Sequence, residues 1–302
     1  MKRCLLWGTG VGFKENYYLL KYHETLKNIE IVGITSKDIF YKSFYGYKFY
    51  RKDSIKELEF DYLIIMSMVS ETIESIKKDA SVLGIDDSKI MPIRVMQLYG
   101  FDFEKYEKIQ SNIPTIFAPN CWGGVLFHSM NLKFNSPFIN MFELHEDYIK
   151  FLKNPKYYLQ SDLKFIEMRY EPVLKRNYPI AQCGDINLYF NHYISFEEAN
   201  ACWERRKKRV NWDNIIVMFY DRDENLVKEF LNLPYDNKIC FTTCNIDNEA
   251  VVSVKFDESE VGRQFFTFVN GTANGTNLCL DLFELLLNKK VRLADGVIFE
   301  KD

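Results

Sequence analysis

The sequence predicts an α/β protein of two domains, each built on a sheet with helices between its strands. Apolar runs of strand length alternate along the chain with amphipathic runs of helix length, the order expected of parallel sheets with crossover helices. A glycine-rich turn follows the first apolar run, as in many βαβ openings. A polar stretch at 101–113, which ends before Pro114, separates two such alternating regions. We therefore expect domains at 1–112 and 113–302.

The first domain is predicted to be a Rossmann-like parallel sheet. Strands are expected at 2–7, 29–35, 47–50, 62–67 and 89–92, with helical segments around 17–22, 53–58 and 71–83. The turn after the first strand supplies Gly8, Gly10 and Gly12 as candidate phosphate-binding residues. The dinucleotide fingerprint has a third glycine where Phe13 stands, and its acidic residue is at best Asp38. Nicotinamide binding, another nucleotide or no ligand all stay open, so the cofactor is undetermined.

The second domain is predicted to begin with a strand at 115–118 that enters a helix through a tight turn. A helix is expected at 146–159, then strands at 164–169 and 186–192. Ser195 and Glu198 form a capping box that starts another helix. A buried strand at 214–220, a helix at 223–231, strands at 238–243 and 251–256, and a helix at 276–287 complete the alternation.

Composition limits the class of protein. With 47% hydrophobic and 27% charged residues the chain has ordinary globular composition. A net charge of −3 provides no positive field, so nucleic acid is not an expected partner. No apolar run approaches the ~18 residues of a membrane helix, so direct membrane insertion is not expected. Seven cysteines without CxxC pairs, and no recognisable signal peptide, favour a cytoplasmic location.

Ordered blocks in the second domain are similar to a known family. These blocks include Asn120-Cys121-Trp122-Gly123-Gly124, Tyr178-Pro179, Gly184-Asp185-Ile186, Trp203-Glu204-Arg205-Arg206 and Asp221-Arg222-Asp223. Over residues 114–243 the chain resembles domain-of-unknown-function family 1919, whose members are usually labelled exopolysaccharide biosynthesis proteins. The resemblance implies a place among capsule or exopolysaccharide enzymes and supplies no catalytic residues. The first hundred residues resemble small Rossmann-like domains appended to sugar-modifying enzymes.

One candidate site is a nucleophilic thiol with its base. The residue types of a nucleophile, a base and an orienting group occur at Cys121, His128, Asp185 and His192. A helix start at Cys121 would stabilise its thiolate, and the glycine amides could form an oxyanion hole. The expected substrate contacts in this turn are Asn120, Gly123 and Gly124. The alternative is a structural turn with His128 as an ordinary helix residue, about two turns from Cys121.

Other candidates would bind a metal, a phosphate or a sugar. Asp221 and Asp223 follow a buried strand, where two carboxylates can hold a divalent cation; alternatively Asp223 caps the next helix. Arg205 and Arg206 could clamp a phosphate, or they could simply close a helix whose carbonyl end attracts cations. Trp203 and the aromatic run at 189–193 could stack on a sugar, although a half-buried strand would show the same pattern.

The resemblance implies a role in cell-surface polysaccharide synthesis, and together with these candidate residues it leads us to expect a transferase. Its substrate would be a small sugar or nucleotide-sugar, or a lipid-linked sugar, bound beyond the carboxyl ends of the strands. One alternative is a Cys121-dependent acyltransferase or hydrolase, and another is a non-catalytic sugar- or nucleotide-binding protein. The sequence leaves the reaction, the donor, the acceptor and the oligomeric state undetermined.

Overall fold

The computed structural model describes residues 1–37, 40–172, 175–254 and 280–291. The chain divides into two compact units, 1–103 and 104–302, and each contains a parallel sheet with helices, so the α/β class is confirmed. The division comes earlier than the expected boundary at residue 112. The polar stretch before Pro114 contains a helix, α3 (Phe103–Ser111), in which Tyr106 and Ile109 are buried.

The first unit has a six-stranded sheet with the order β3-β4-β2-β1-β5-β6. Its strands are β1 (Lys2–Trp7), β2 (Ile29–Ser36), β3 (Ser43–Phe44), β4 (Tyr47–Arg51), β5 (Tyr62–Ile65) and β6 (Ile90–Pro92). All pairings are parallel except that of β3 with β4. Helices α1 (Val11–Thr25) and α2 (Ser70–Val82) connect strands of this sheet. The two-residue β3 is too short to leave a periodic signal in the sequence.

The three glycines between β1 and α1 have different environments. Gly8 has a φ of +125°, which favours glycine, and it turns the chain out of β1. A Cβ on Gly12 would lie 2.4 Å from the Met66 carbonyl oxygen, whereas a Cβ on Gly10 would meet no heavy atom within 4 Å. Gly12 therefore makes the close helix-to-strand approach that the fingerprint assigns to a third glycine. Phe13 is instead buried against Phe44 and Tyr45. Asp38 lies outside the described residues.

We expect Gly12→Ala to destabilise the protein and Gly10→Ala to leave its stability nearly unchanged. The new methyl group at residue 12 would meet a backbone oxygen that cannot move aside as a side chain can. Overpacking of this kind costs about 1–3 kcal/mol. Thermal unfolding followed by circular dichroism compares the two variants, with Gly10→Ala as the matched control. Equal melting temperatures would contradict the packing role assigned to Gly12.

The described residues of the second unit form two sheets. A four-stranded parallel sheet has the order β13-β12-β11-β7, and a three-stranded antiparallel sheet has the order β10-β9-β8. The strands are β7 (Thr115–Phe117), β8 (Leu163–Glu171), β9 (Arg176–Cys183), β10 (Ile186–Tyr189), β11 (Ile215–Asp221), β12 (Lys238–Thr242) and β13 (Val251–Ser253). The helices are α4 (Trp122–Ser129), α5 (His145–Lys153), α6 (Pro155–Gln160), α7 (Phe196–Lys207), α8 (Glu224–Leu231) and α9 (Leu282–Asn288). One aromatic-rich core, which includes Phe117, Tyr148 and Phe219, joins both sheets.

Some element boundaries differ from the sequence predictions. The helix expected at 146–159 is two helices, because the Asn154 side chain caps α6 and Pro155 opens it. The strand expected to reach residue 192 ends at Tyr189. The end of the strand expected at 251–256 and the start of the helix expected at 276–287 lie outside the described residues. Within the described ranges, no helix has the length and apolar character that crossing a membrane requires.

Candidate functional site

The candidate site lies at the carboxyl ends of two neighbouring parallel strands. β7 pairs in parallel with β11, with Phe117 opposite Val217. From β7 the chain enters α4 through the turn at 118–121, and from β11 it enters α8 through 222–223. Ligand sites in open α/β sheets form beyond the carboxyl ends of the strands. The two loops therefore frame the position where a substrate is expected.

His145 and Asp221 form the central contact of this site. His145 Nδ1 lies 2.5 Å from Asp221 Oδ2. The imidazole also packs edge-on against the rings of Phe219 and Tyr220, at centroid distances of 5.0 and 4.8 Å. The side chains of His145 and Asp221 are 24% and 16% exposed, so the pair borders solvent. With Nδ1 held by a carboxylate, Nε2 is the ring nitrogen left for a substrate.

The Asp221 carboxylate is fixed from several directions. Its Oδ1 accepts hydrogen bonds from the backbone N–H groups of Arg222 and Asp223, at 2.6 and 2.9 Å. Burial alone would raise the pKa of Asp221, but hydrogen bonds from His145 and these two amides outweigh it, and the pKa falls below its ordinary value. Asp221 is therefore an anion that holds the imidazole in one orientation, as the carboxylate does in hydrolytic triads.

The Asn120–Cys121 turn lies in the same part of the site, close to Tyr220. The Asn120 Oδ1 accepts a hydrogen bond of 2.9 Å from the Trp122 amide, which shapes the start of α4. Burial raises the pKa of Tyr220 to about 12, and the side chains of Asn120, Asp221 and Cys121 all lie close enough to influence it. Burial also raises the pKa of the Cys121 thiol, and backbone groups of residues 140 and 141 offset this only in part. Cys121 is therefore protonated at neutral pH.

The other members of the predicted nucleophilic group have different neighbours. His128 is exposed in the last turn of α4, at the opposite end of that helix from Cys121. Asp185 lies in the turn between β9 and β10, where its Oδ1 accepts a 2.7 Å hydrogen bond from the Tyr158 hydroxyl. His192 Nδ1 lies 3.2 Å from an Arg176 nitrogen. These three residues therefore have partners other than Cys121, and the imidazole–carboxylate pair at the strand ends is His145 with Asp221.

Trp203 and Arg206 are core residues, which corrects their predicted contacts with sugar and phosphate. Trp203 is 1% exposed and packs against Phe138 and Phe190. The Arg206 guanidinium is buried and donates to the Ile139 carbonyl and the Tyr193 hydroxyl. Arg205 is exposed on α7. Because the two arginines are consecutive in a helix they point in different directions, and they do not form one phosphate clamp.

The two glycines after Cys121 allow close packing of α4. A Cβ on Gly123 would lie 3.1 Å from the Ile116 side chain, and one on Gly124 would lie 3.4 Å from Ile139. Both residues are buried, so their side of the helix faces the sheet and residues 138–139 rather than an open cleft. That the backbone amides of Gly123 and Gly124 form an oxyanion hole remains a prediction.

The carboxylates predicted to bind a metal have other partners. Asp223 Oδ1 caps α8 by accepting hydrogen bonds from the Asn225 and Leu226 amides, at 2.8 and 3.4 Å. Asp221 is engaged by His145 and two amides. In the part of the chain that the structure describes, no group of three or more His, Cys, Asp or Glu side chains is arranged to hold a metal. The capping alternative for Asp223 is thus confirmed, and metal binding by the pair stays a prediction.

Comparison with known proteins places the chain in a family. The family model described as a domain of unknown function, DUF1919, matches residues 93–283. The chain belongs to the DUF1919 family. A second model, described as C2185-like, N-terminal, matches residues 1–91. An uncharacterized protein of Haemophilus influenzae is 33% identical over 138 residues, which is 45% of this chain and 64% of that relative. The predicted resemblance to DUF1919 is therefore confirmed.

The sequence predictions missed His145 and Glu143 of this DUF1919 protein. His145 is one of only four histidines in the chain and stands directly before the helix predicted at 146–159. Its position before a helix and the scarcity of histidine are the sequence features that could have identified it as a candidate site residue. Glu143 gave no signal in the sequence, because a single buried carboxyl leaves no periodic pattern.

Glu143 is a fully buried carboxyl group tied to the same turn. Its backbone N–H donates to the Pro119 carbonyl at 2.9 Å. Neither carboxyl oxygen has a hydrogen-bond partner among the described residues. Burial, and then the charge of Asp147, raise the pKa of Glu143 well above its ordinary value. Glu143 therefore keeps its proton in the folded protein.

Glu143→Gln is expected to stabilise the protein more at pH 8 than at pH 5. The unfolded chain releases the Glu143 proton near its ordinary pKa, whereas the folded chain retains it up to the raised pKa. Between these two pKa values the free energy of unfolding therefore falls as the pH rises. Glutamine removes this penalty. A gain of 1 kcal/mol would raise the melting temperature by roughly 2–4 °C in a unit of this size. Melting curves at both pH values measure the gain, with the exposed Glu249→Gln as control. An equal gain at both pH values would contradict a buried neutral Glu143.

Proposed function

We propose that this protein is a transferase of cell-surface polysaccharide synthesis in which His145, oriented by Asp221, takes a proton from an acceptor hydroxyl. The observation that carries the proposal is the 2.5 Å contact between His145 Nδ1 and Asp221 Oδ2 at the carboxyl end of the parallel sheet. A carboxylate in this position keeps Nε2 free as the proton acceptor and stabilises the imidazolium that forms. The polysaccharide setting rests on the family resemblance described above.

The proposed step transfers a sugar from a nucleotide or lipid carrier. The acceptor oxygen forms a bond to the anomeric carbon of the donor, and the bond from that carbon to the carrier phosphate breaks. The acceptor proton moves to His145 Nε2, and the carrier leaves with the electrons of the broken bond. His145 raises the nucleophilicity of the acceptor in this step, and Asp221 holds the ring in place. Asn120, in the turn after β7, and Tyr220, near the end of β11, are the groups proposed to contact the substrate.

We further propose that the first unit is a Rossmann-like domain that binds a nucleotide. The strand order around β1, with β2 and β4 on one side and β5 and β6 on the other, supports this interpretation. Gly10 is the N-cap residue of α1, no acidic residue stands in the first turn, and the space beside Gly10 is open. A phosphate could therefore approach the amides of Gly10 and Gly12.

Cys121-dependent acyl transfer is the second candidate function. Cys121 and Asp221 both influence the Tyr220 hydroxyl, and the Tyr220 ring packs against His145, so Tyr220 connects the thiol to the His145–Asp221 pair. The raised pKa of the thiol weakens this candidate, because the thiolate is the nucleophilic form. Sugar transfer to an acceptor hydroxyl needs no thiolate, and for that reason we prefer it to acyl transfer by Cys121.

A ligand screen followed by a product assay tests the proposal. The full chain is screened by thermal shift with nucleotide-sugars, free nucleotides, nicotinamide dinucleotides and acyl-coenzyme A compounds. A ligand at about 100 times its Kd stabilises the fold by about 2.7 kcal/mol. We expect a nucleotide-sugar to raise the melting temperature and to yield product with a hydroxyl acceptor. Acyl transfer that is lost in Cys121→Ala would establish the second candidate, and binding without product in every mixture would indicate a non-catalytic binding protein.

A further inference from the structure

The edge strand β8 is exposed along almost its whole length. It lies at the outside of the sheet β10-β9-β8, and residues 164–170 are all exposed. The large apolar side chains among them are Phe165, Ile166, Met168 and Tyr170, with exposed fractions of 41–58%. The outer N–H and C=O groups of an edge strand are a template for another strand, and exposed apolar side chains strengthen that attraction. β8 therefore has the properties of an interaction surface.

The outer half of β8 is regular enough to pair with a further strand. β8 and β9 pair from Leu163 opposite Cys183 to Glu171 opposite Arg176, with one irregularity between Phe165 and Glu167. β10 pairs with β9 only at residues 180–183. The stretch after the irregularity is 167–171. Glu167 still lies opposite Ile180, which pairs with β10, so residues 168–171 form the two-stranded extension beyond β10, in which β9 is the strand paired with them among the described residues. Five residues of regular strand are within the usual length of a sheet element.

The charges of β8 are complementary to those of a second copy. Glu167 Oε1 lies 2.7 Å from an Arg169 nitrogen on the same face of the strand. Two copies paired antiparallel about a two-fold axis at Met168 would place Glu167 of each copy opposite Arg169 of the other. The adjacent two-fold registers, centred on residue 167 or 169, would place Glu167 opposite Glu167 or Arg169 opposite Arg169. Like charges directly opposite each other destabilise a strand pair, so the charges select the register centred on Met168.

The same register also matches the apolar side chains. Met168 would lie opposite Met168 on the face away from Glu167 and Arg169, and Tyr170 would approach the exposed apolar side chains at the irregularity of the partner strand. A two-fold pairing is self-complementary, since each contact occurs twice. We propose that β8 is a dimer interface, in which two copies of this chain pair antiparallel about Met168 and join their three-stranded sheets into one continuous sheet.

Charge-swap variants of the full chain test this interface. Sedimentation equilibrium is expected to show that the natural chain dimerises. Glu167→Arg and Arg169→Glu each create two pairs of like charges and are expected to raise the dimer dissociation constant roughly tenfold. The double variant Glu167→Arg/Arg169→Glu restores opposite charges across the two-fold axis and is expected to recover the natural dissociation constant.

Two controls separate dimer pairing from effects within one chain. The exposed pair Lys153–Glu229 has the same 2.7 Å separation, and Glu229→Lys in α8 controls for a change of net charge. Melting temperatures at concentrations far below the dissociation constant report the stability of the single chain. A chain that is monomeric at every concentration tested would overturn the proposal. A double variant that dimerises as weakly as the single variants would also overturn it, because the charge pairing would then be absent.

Discussion

His145→Ala is expected to lower kcat of the sugar transfer by about 10²–10⁴-fold, the range that general-base catalysis contributes. The variant should keep its fold, because the imidazole borders solvent and alanine is well tolerated in a helix. Asp221→Asn should cause a loss of similar order, since an amide leaves the imidazole without the carboxylate that orients it. The measurement is steady-state turnover with the donor identified by the ligand screen, together with circular dichroism.

The double variant shows whether His145 and Asp221 act as one unit or independently of each other. If Asp221 acts only through His145, then His145→Ala/Asp221→Asn should be no slower than His145→Ala, since residues that act as a unit are not additive. His128→Ala is the matched control, because His128 is an exposed histidine at the far end of α4 and should keep full activity. Losses that multiply in the double variant, or an equal loss in His128→Ala, would contradict the proposed pair.

Trp203→Ala is expected to destabilise the protein by about 3–5 kcal/mol, the usual cost of truncating a buried tryptophan. The indole is 1% exposed between Phe138 and Phe190, so its removal leaves a cavity in the core of the second unit. Chemical unfolding measures the loss as a lower denaturant midpoint with an unchanged m value. Trp212→Ala is the control, because Trp212 is 41% exposed and its truncation should cost much less.

The same variant tests the sugar-binding role that the sequence suggested for Trp203. A Trp203→Ala protein with unchanged stability and a raised KM for the sugar would restore that role. A tryptophan in a helix next to charged residues looks the same in sequence whether it faces a ligand or the core. Only the surrounding elements distinguish the two cases, and here Phe138 and Phe190 enclose the ring.

The sequence identified those parts of the candidate site that depend on local structure. Asp221 at a strand end, and the Asn120–Cys121 turn at a helix start, are both marked by the change from an apolar run to polar residues. The family was also identified from ordered blocks of residues, and the family model confirms it. Helix spacing placed His128 two turns from Cys121, as the structure has it, whereas the positions of Asp185 and His192 depend on tertiary contacts that the sequence does not show.

The sequence by itself determined the α/β class, most strands and helices, and the membership in DUF1919, because periodicity and motif order are properties of neighbouring residues. Tertiary structure alone decided that His145 meets Asp221, 76 residues later in the chain. It also decided that Glu143, Trp203 and Arg206 are buried while β8 stays exposed. Burial and side-chain pairing depend on which elements pack together. The spacing of residues within one element does not contain that information.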